Sequence, residues 1–225
     1  MGYTLQYAQA TPYLPYLLAG AWISLQIAVL CFFAGLALAL PLAAGLVSRR
    51  PILSRLSGAY VAFFTNTPGL VQIFFIYYAL PDLGLVLDSY QAVVLGITLN
   101  AAGYLALILR GGFLSVERVE LDAGVTLGMS QLQLLRYVIV PHMAHVLYPA
   151  IGNKFVLMVL GTAVAGVFGV EELMGRTINA NAESFRSVEL LSMTAAIYVA
   201  LTVLATLTLS GLGLALLGRR VRFAG

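Results

Sequence analysis

Two histidines three residues apart are the first candidates for chemistry in this sequence. His142 and His145 would place two imidazoles on one face of a helix, as a zinc site can require. A zinc ion needs at least one more protein ligand, and Cys31 is the only other histidine or cysteine in the chain. We therefore expect no metal site.

The chain contains no complete catalytic motif. An intramembrane serine protease is conceivable, although no Gly-x-Ser-x-Gly elbow occurs, and such an enzyme does not strictly require one. No Gly-x-x-x-x-Gly-Lys-Ser/Thr phosphate loop occurs either. We expect a chain that is not an enzyme and binds no cofactor. If it works with ATP, the ATPase must be another chain.

Polar residues inside apolar stretches predict a path for a solute. Asn100 and Tyr104 are four residues apart, so they share one face of a helix. The segment 65–69, Thr-Asn-Thr-Pro-Gly, breaks a helix at membrane depth, which is tolerated where the break lines a cavity or is buried in protein. We expect Thr65, Gln72, Asn100 and Tyr104 on this path. The alternatives are an interhelical hydrogen bond for Asn100 and a simple kink at the break.

Composition places the chain in the membrane class. It has 225 residues, of which 61% are apolar and 9% charged, and its mean hydropathy is +0.96. Soluble domains carry about 25% charged residues. The net charge of +3 comes from arginines and one lysine spread over many loops, which does not form a nucleic-acid-binding patch.

Apolar runs predict an all-α polytopic protein with about five spans in one transmembrane domain, 1–225. The spans cover about 18–47, 57–80, 91–109, 141–170 and 190–217. Lys154 interrupts the fourth span and is expected to snorkel or to line a polar path. We expect 171–189 to be a polar loop and no acid to lie inside a span, which argues against ion-coupled transport.

Arginine positions predict the topology. One side of the membrane holds nine arginines, and the other holds two arginines and six acids. The first side has Arg49, Arg50, Arg55, Arg110, Arg118, Arg136, Arg219, Arg220 and Arg222; the second has Arg176, Arg186, Asp82, Asp88, Glu171, Glu172, Glu183 and Glu189. Because cytoplasmic loops carry the excess of basic residues, we expect the N-terminus outside and the C-terminus in the cytoplasm.

The cytoplasmic segment 110–141 is a charged island between apolar stretches. Val116, Val119, Ala123 and Leu127 recur at helical spacing, which predicts an amphipathic helix. Gly128 is suited to the position just past the helix end. Ser130 and Gln133 form a capping box for a second helix, and Pro141 is expected to start the next one. The segment is either an ordinary amphipathic loop or a docking surface for a soluble partner.

The same segment resembles the EAA loop of ABC-importer permeases. Asp122-Ala123-Gly124 is followed after three residues by Gly128, and Pro141 comes thirteen residues later. The departures are Asp122 for Glu, Gly124 for Ala and Val140 for Leu. Further stretches, among them LNAAGYLALILRGG, YPAIGNKF and GVEELMG, resemble the polar amino acid uptake family of histidine, glutamine and arginine permeases.

The resemblance implies an assembly in the bacterial inner membrane. Asp122, Ala123, Gly124, Gly128 and Pro141 would belong to a coupling helix that docks on a dimer of ATPases, which bind ATP and Mg²⁺. A second permease, of the same or a different chain, would complete the membrane part. A substrate-binding protein outside would dock on the loops 81–91 and 171–189. The alternative is a stand-alone secondary transporter or channel.

The resemblance also bears on the substrate. Asn100 falls at a position that contacts substrate in cationic amino acid transporters of this family. Two acidic positions of that pattern fall on Leu107 and Gly161, and Thr162 follows in the same segment. A cationic substrate would therefore find no counter-ion here. Either the substrate is neutral, acidic or modified, or a different permease holds the binding residues.

Overall fold

The chain is helical throughout the part that the structure describes. This computed structural model describes residues 4–218, and no strand occurs among them. The α-helices are α1 (Tyr7–Ala10), α2 (Leu14–Leu46), α3 (Pro51–Asn66), α4 (Gly69–Phe74), α5 (Ser89–Ser115), α6 (Arg118–Thr126), α7 (Gln131–Leu134), α8 (Val140–Gly161), α9 (Leu173–Ser184) and α10 (Ser187–Leu217). 3-10 helices cover Thr11–Tyr13, Pro81–Leu83 and Thr162–Phe168, and π-helical segments cover Phe75–Ala79 and Leu135–Ile139.

Helix length and hydropathy confirm an all-α polytopic protein. Four stretches within the described residues are long and apolar enough to cross a membrane: Tyr7–Leu46, Ser89–Ser115, Gln131–Phe168 and Ser187–Leu217. Helix α3 and the helical segment after it pass the same test only together, as one bent span, which gives five. The predicted sides of the termini stay a prediction, and Arg219, Arg220 and Arg222 lie outside the described residues.

Helix α8 corrects the expected position of Pro141. The sequence places this proline at the start of a new helix, but the chain is helical without a break from Gln131 to Gly161. A proline inside a helix clashes with the carbonyl four residues earlier, here that of Tyr137. Tyr137 lies in the π-helical segment Leu135–Ile139, whose wider hydrogen-bonded turn gives the ring of Pro141 room.

Contacts divide the described residues into two compact units. The first unit takes residues 4–33, 69–98 and 155–207, and the second takes 34–68, 99–154 and 208–218. Helices α2, α5, α8 and α10 each contribute residues to both units. The expectation of a single transmembrane domain over 1–225 concerns the whole chain and stays a prediction.

In the first unit, small and aliphatic side chains from α1, α2, α9 and α10 form an apolar core. Its buried members are Ala10, Leu17, Ala21, Leu173, Ala180, Leu190 and Ile197. Helix α9 replaces the polar loop that the sequence predicts over 171–189. The segment folds as a helix because its apolar face has this core to pack against.

Glu172 is fully buried and caps the N-terminus of α9. The N–H of Gly175 donates to its Oε1 at 2.9 Å. Ser24 and Tyr198 donate from their hydroxyl groups to its Oε2, at 2.8 and 3.1 Å. Three helices, α2, α9 and α10, are therefore joined through one carboxylate.

Glu189 is also fully buried, and it lies in the first turn of α10, which is one of the candidate spans. The backbone N–H of Gln6 donates to its Oε1 at 2.8 Å. Because this helix of 31 residues is longer than the roughly 20 that cross a bilayer, the expectation that no acid lies inside a span stays a prediction. Counting charges assigned Glu189 to an exposed loop, whereas the structure buries it at the start of α10.

In the second unit, α3 and α5 approach closely where α3 ends. A Cβ atom at Gly103 would lie 3.3 Å from both Phe64 Cβ and Thr65 Cγ2. A larger residue at this position would force its neighbours to move. The close approach brings polar side chains of α5 within hydrogen-bonding distance of the end of α3.

Candidate functional site

Helix α3 ends at Asn66 because of the residues that follow it. Thr67 precedes Pro68, and a residue before proline is disfavoured in the α-helical region. Thr67 accordingly has an extended backbone, with φ −111° and ψ 140°. The side chains of Thr65, Asn66 and Thr67 each donate to the carbonyl oxygen four residues earlier, at 2.7 Å. The predicted helix break is therefore present, and the last carbonyl groups of α3 need partners other than their own helix.

Two side chains of α5 supply such partners. Asn100 Nδ2 donates to the carbonyl oxygen of Phe64 at 3.0 Å. Tyr104 Oη donates to the carbonyl oxygen of Thr65 at 3.2 Å. Asn100 thus makes the interhelical hydrogen bond that the sequence allows as its alternative to solute contact, and Tyr104 makes a second one. Their roles in a solute path stay predictions.

Lys154 of α8 lies against the same cluster. Its ammonium nitrogen is 4.3 Å from the centroid of the Tyr104 ring, a distance at which the ring face attracts a cation. Lys154 is half-buried, and it is the only lysine in the chain. The amine therefore lies on an aromatic ring beside the residues predicted for the solute path.

The remaining predicted path residues lie in different settings. Leu107, three residues after Tyr104 on α5, is 42% exposed. Gly161 is exposed, and a Cβ atom there would meet no atom of the described residues within 4 Å. Thr162 is fully buried and donates to a carbonyl oxygen of the preceding turn at 2.8 Å. Gln72 is buried as well.

The turn between α6 and α7 is a Schellman motif. The N–H of Gly128 donates to the carbonyl oxygen of Val125 at 2.9 Å, and that of Met129 donates to Gly124 at 3.1 Å. Gly128 has φ 75°, which glycine adopts without the strain that a side chain would cause. The predicted position of Gly128 just past the end of a helix is confirmed.

The second helix of the segment begins with the predicted capping box. The N–H of Gln133 donates to Ser130 Oγ at 3.3 Å, and the N–H of Ser130 donates to Gln133 Oε1 at 2.8 Å. Gly124 is buried, and a Cβ atom there would overlap the side chain of Leu134. Glycine in place of the usual alanine therefore lets α6 lie directly on α7.

The apolar stripe of α6 faces outward rather than into a core. Val119 is 74% and Leu127 is 77% exposed, and Ala123 between them is exposed as well. Of the predicted amphipathic pattern, only Val116 is buried. Exposed apolar residues that share one helix face are candidates for contact with another molecule. We call Val119, Ala123 and Leu127 the exposed stripe.

One polar contact joins α6 to α8. Glu120 Oε2 lies 3.3 Å from His142 Nδ1. His145 Nδ1 lies 2.8 Å from the carbonyl oxygen of Pro141 in its own helix. The two histidines therefore contact different groups. Asp122, on the same helix as Glu120, is exposed.

Comparison with known proteins identifies the family of this chain. Residues 32–223 match the family described as the binding-protein-dependent transport system inner membrane component. The chain belongs to this family. The permease is 36% identical over 194 residues to the octopine transport system permease protein OccM of Rhizobium radiobacter, with 82% of this chain and 79% of that protein covered. It is 33% identical over 193 residues to the glutamine transport system permease protein GlnP of Escherichia coli K12, with 85% and 88% covered.

A solved structure agrees with the family assignment. The permease superposes on an amino acid ABC transporter with histidines at a TM-score of 0.88 and 27% identity, covering 95% of this chain and 100% of that one. The resemblance to amino acid ABC permeases is thereby confirmed. The permease is a multi-pass protein of the inner membrane and a subunit of an ABC importer.

The surface predicted to meet a binding protein carries fewer exposed acids than the sequence count suggests. Of the six acids assigned to this side of the permease, four are exposed: Asp82, Asp88, Glu171 and Glu183. Glu172 and Glu189 are buried. The segment 171–189 is moreover largely the helix α9 rather than a loop.

Sequence reasoning about the permease missed two contacts between distant residues. The contact between Lys154 and Tyr104 joins two helices, and no local pattern links the two side chains. The hydrogen bond from Ser24 to Glu172 spans 148 residues. A possible signal for Glu172 was its place three residues before Gly175, where an N-cap acceptor reaches the N–H of the first turn.

Proposed function

We propose that this permease translocates a polar amino acid or a related small solute as one of two membrane subunits of its importer. An ATPase dimer on the cytoplasmic side binds ATP and Mg²⁺, and a binding protein outside delivers the solute. This chain supplies no catalytic residue and holds no cofactor. The names of the amino acid permeases that it resembles support the substrate class.

The exposed stripe of α6 is the observation that carries this proposal. It presents apolar side chains to the surface, and Asp122 beside it is available to a cationic group of the ATPase. Gly124 allows α6 to lie on α7, and the turn at Gly128 sets the direction of the helix pair. When the ATPases close on ATP, a movement of α6 would be passed to the rest of the permease.

The solute path is proposed at the residues that the sequence predicts. Thr65, Asn100, Tyr104 and Leu107 belong to the second unit, and Gln72, Gly161 and Thr162 belong to the first. Leu107 and Gly161 carry no charge, so a cationic solute would lack a counter-ion on this chain. Either the solute is neutral, acidic or modified, or a different second permease supplies the acids.

Purification of the tagged chain in mild detergent tests the proposal, with the co-purifying chains identified by mass spectrometry. Recovery of an ATPase and a second, different permease would support the proposal and would leave the missing acids to that partner. Recovery of an ATPase alone also supports the proposal, with two copies of this chain in the importer. A monodisperse chain that carries solute unaided, with no ATPase, would contradict it.

A further inference from the structure

Lys154 has an unusual location for a charged residue. It lies in the candidate span Gln131–Phe168, close to the middle of that stretch. A charge inside a span is costly unless it faces a partner or a polar path, so it is a candidate for function. Lysine can also snorkel to the membrane surface. Here the ammonium is instead found over the ring of Tyr104, at 4.3 Å.

The ring satisfies only part of the hydrogen-bonding capacity of the ammonium group. A lysine ammonium has three N–H donors, and a ring face attracts its charge without offering a strong acceptor. Two ion pairs of the described residues join Glu120 to His142 and Arg176 to Glu171, and neither involves Lys154. The ammonium therefore retains the capacity to bind an anion.

The side chains that share the Tyr104 face of α5 are donors or apolar rather than acidic. Asn100 and Tyr104 donate to the carbonyl oxygens of the broken helix. Leu107 follows Tyr104 on the same helix face and is exposed. The cluster thus carries one positive charge and no acid among these residues, which favours an anionic ligand over a cationic one.

From this geometry we infer that Lys154 binds a side-chain carboxylate of the transported solute, and that the path favours acidic solutes over neutral and cationic ones. The inference rests on the proposed function, because it takes Asn100 and Tyr104 to line the path. A carboxylate forms short, charge-assisted hydrogen bonds with an ammonium, and the Tyr104 ring holds the amine in place. A cationic solute would bring a second positive charge to this position.

Equilibrium binding of radiolabelled glutamate to the purified ATPase–permease complex, without the binding protein, tests the inference. Glutamine and arginine compete as the neutral and the cationic ligand. We expect glutamate to bind about tenfold more tightly than glutamine, since a hydrogen bond between charged groups contributes on this order. Lys154→Met should remove this preference, and Lys154→Arg should retain it.

Arg55→Gln is the matched control, because it removes one positive charge from an exposed position of the second unit. It should leave the preference for glutamate unchanged. Each variant must elute as a monodisperse complex with the ATPase. If Lys154→Met does not form that complex, Lys154→Gln is used in its place. The inference would be overturned if glutamate and glutamine bind equally, or if neither binds at millimolar concentration. It would also be overturned if the preference for glutamate survives the loss of the Lys154 amine. Failure of the ATPase to co-purify with the unaltered chain would instead overturn the proposed function.

Discussion

The side-chain amide of Asn100 donates a hydrogen bond to the carbonyl oxygen of Phe64, 3.0 Å away. The two residues are 36 positions apart, on α5 and on the last turn of α3. The carbonyl is available because Thr67 and Pro68 stop α3 and remove the N–H groups that would otherwise reach its last turn. A residue predicted to contact solute therefore also stabilises the helix break.

Asn100→Leu should lower the stability of the permease. The substitution removes the donor to Phe64 and leaves a partly buried carbonyl with fewer partners, which costs about 1 kcal/mol in a membrane protein. We expect a lower midpoint of thermal unfolding in detergent. Asn66→Leu is the matched control, because Asn66 is exposed and bonds only within its own helix in the contacts described above. An equal shift for both variants would contradict the role given to Asn100.

Gly128→Ala should weaken docking of the ATPase without blocking membrane insertion. A residue with a side chain adopts the positive φ of Gly128 at a free-energy cost of about 1–2 kcal/mol. The turn would therefore adopt another conformation, and the direction of α6 would change. Co-elution of the ATPase and transport-coupled ATP hydrolysis should both fall, and Gly128→Leu should have a larger effect. Gly111→Ala is the control, since Gly111 has ordinary helical φ and its Cβ would meet no described atom within 4 Å. Full coupled hydrolysis by Gly128→Leu would refute the docking assignment.

Gly161→Asp should be tolerated and should change substrate preference. A Cβ atom at Gly161 meets no described atom within 4 Å, so the permease should insert and unfold as the unaltered chain does. The new carboxylate should improve arginine binding by about tenfold, the order of a charge-assisted hydrogen bond. Competition binding on the ATPase–permease complex measures this.

Gly166→Asp is the matched control for that substitution. A Cβ atom at Gly166 would lie only 2.7 Å from the backbone nitrogen of Gly175, so this variant should lose stability. Loss of folding in Gly161→Asp, or arginine binding no better than that of the unaltered permease, would contradict the placement of Gly161 on an open part of the path.

Glu172→Leu should destabilise the first unit strongly. The substitution leaves the donors on Ser24, Tyr198 and Gly175 without their shared acceptor, at a cost of about 2 kcal/mol or more. We expect the thermal midpoint in detergent to fall well below that of Glu171→Leu. Glu171 is the neighbouring control, an exposed acid whose ion pair with Arg176 spans 3.9 Å and contributes little. Similar midpoints for the two variants would show that Glu172 is not a structural anchor.

Much of the fold and of the α6–α7 turn was predictable from the sequence because it depends on local physics. Pro68 ends a helix whatever surrounds it, Gly128 takes a positive φ, and Ser130 with Gln133 caps a helix. Long apolar runs predict spans for the same reason, since the bilayer fixes their length.

The features that the sequence did not predict depend on contacts between distant residues. Glu172 is buried because Ser24 and Tyr198, far away in the chain, supply its hydrogen bonds. The segment after it folds as a helix because a core is present to receive its apolar face. Likewise, the ring beneath Lys154 belongs to another helix. Each depends on packing that no local pattern encodes.

Cysteine cross-linking tests the central claim, that the exposed stripe of α6 docks on the ATPase. Cys31 is fully buried, so a cysteine introduced at the surface is the reactive one among the described residues. Val119→Cys places the cysteine on the exposed stripe. Val86→Cys is the control, because Val86 is 80% exposed in the native chain and lies between α4 and α5. Both are labelled in membranes with a photoactivatable maleimide, and adducts are identified by mass spectrometry. The account predicts an adduct with the ATPase from Val119→Cys and none from Val86→Cys; labelled Val119→Cys without an ATPase adduct would contradict it.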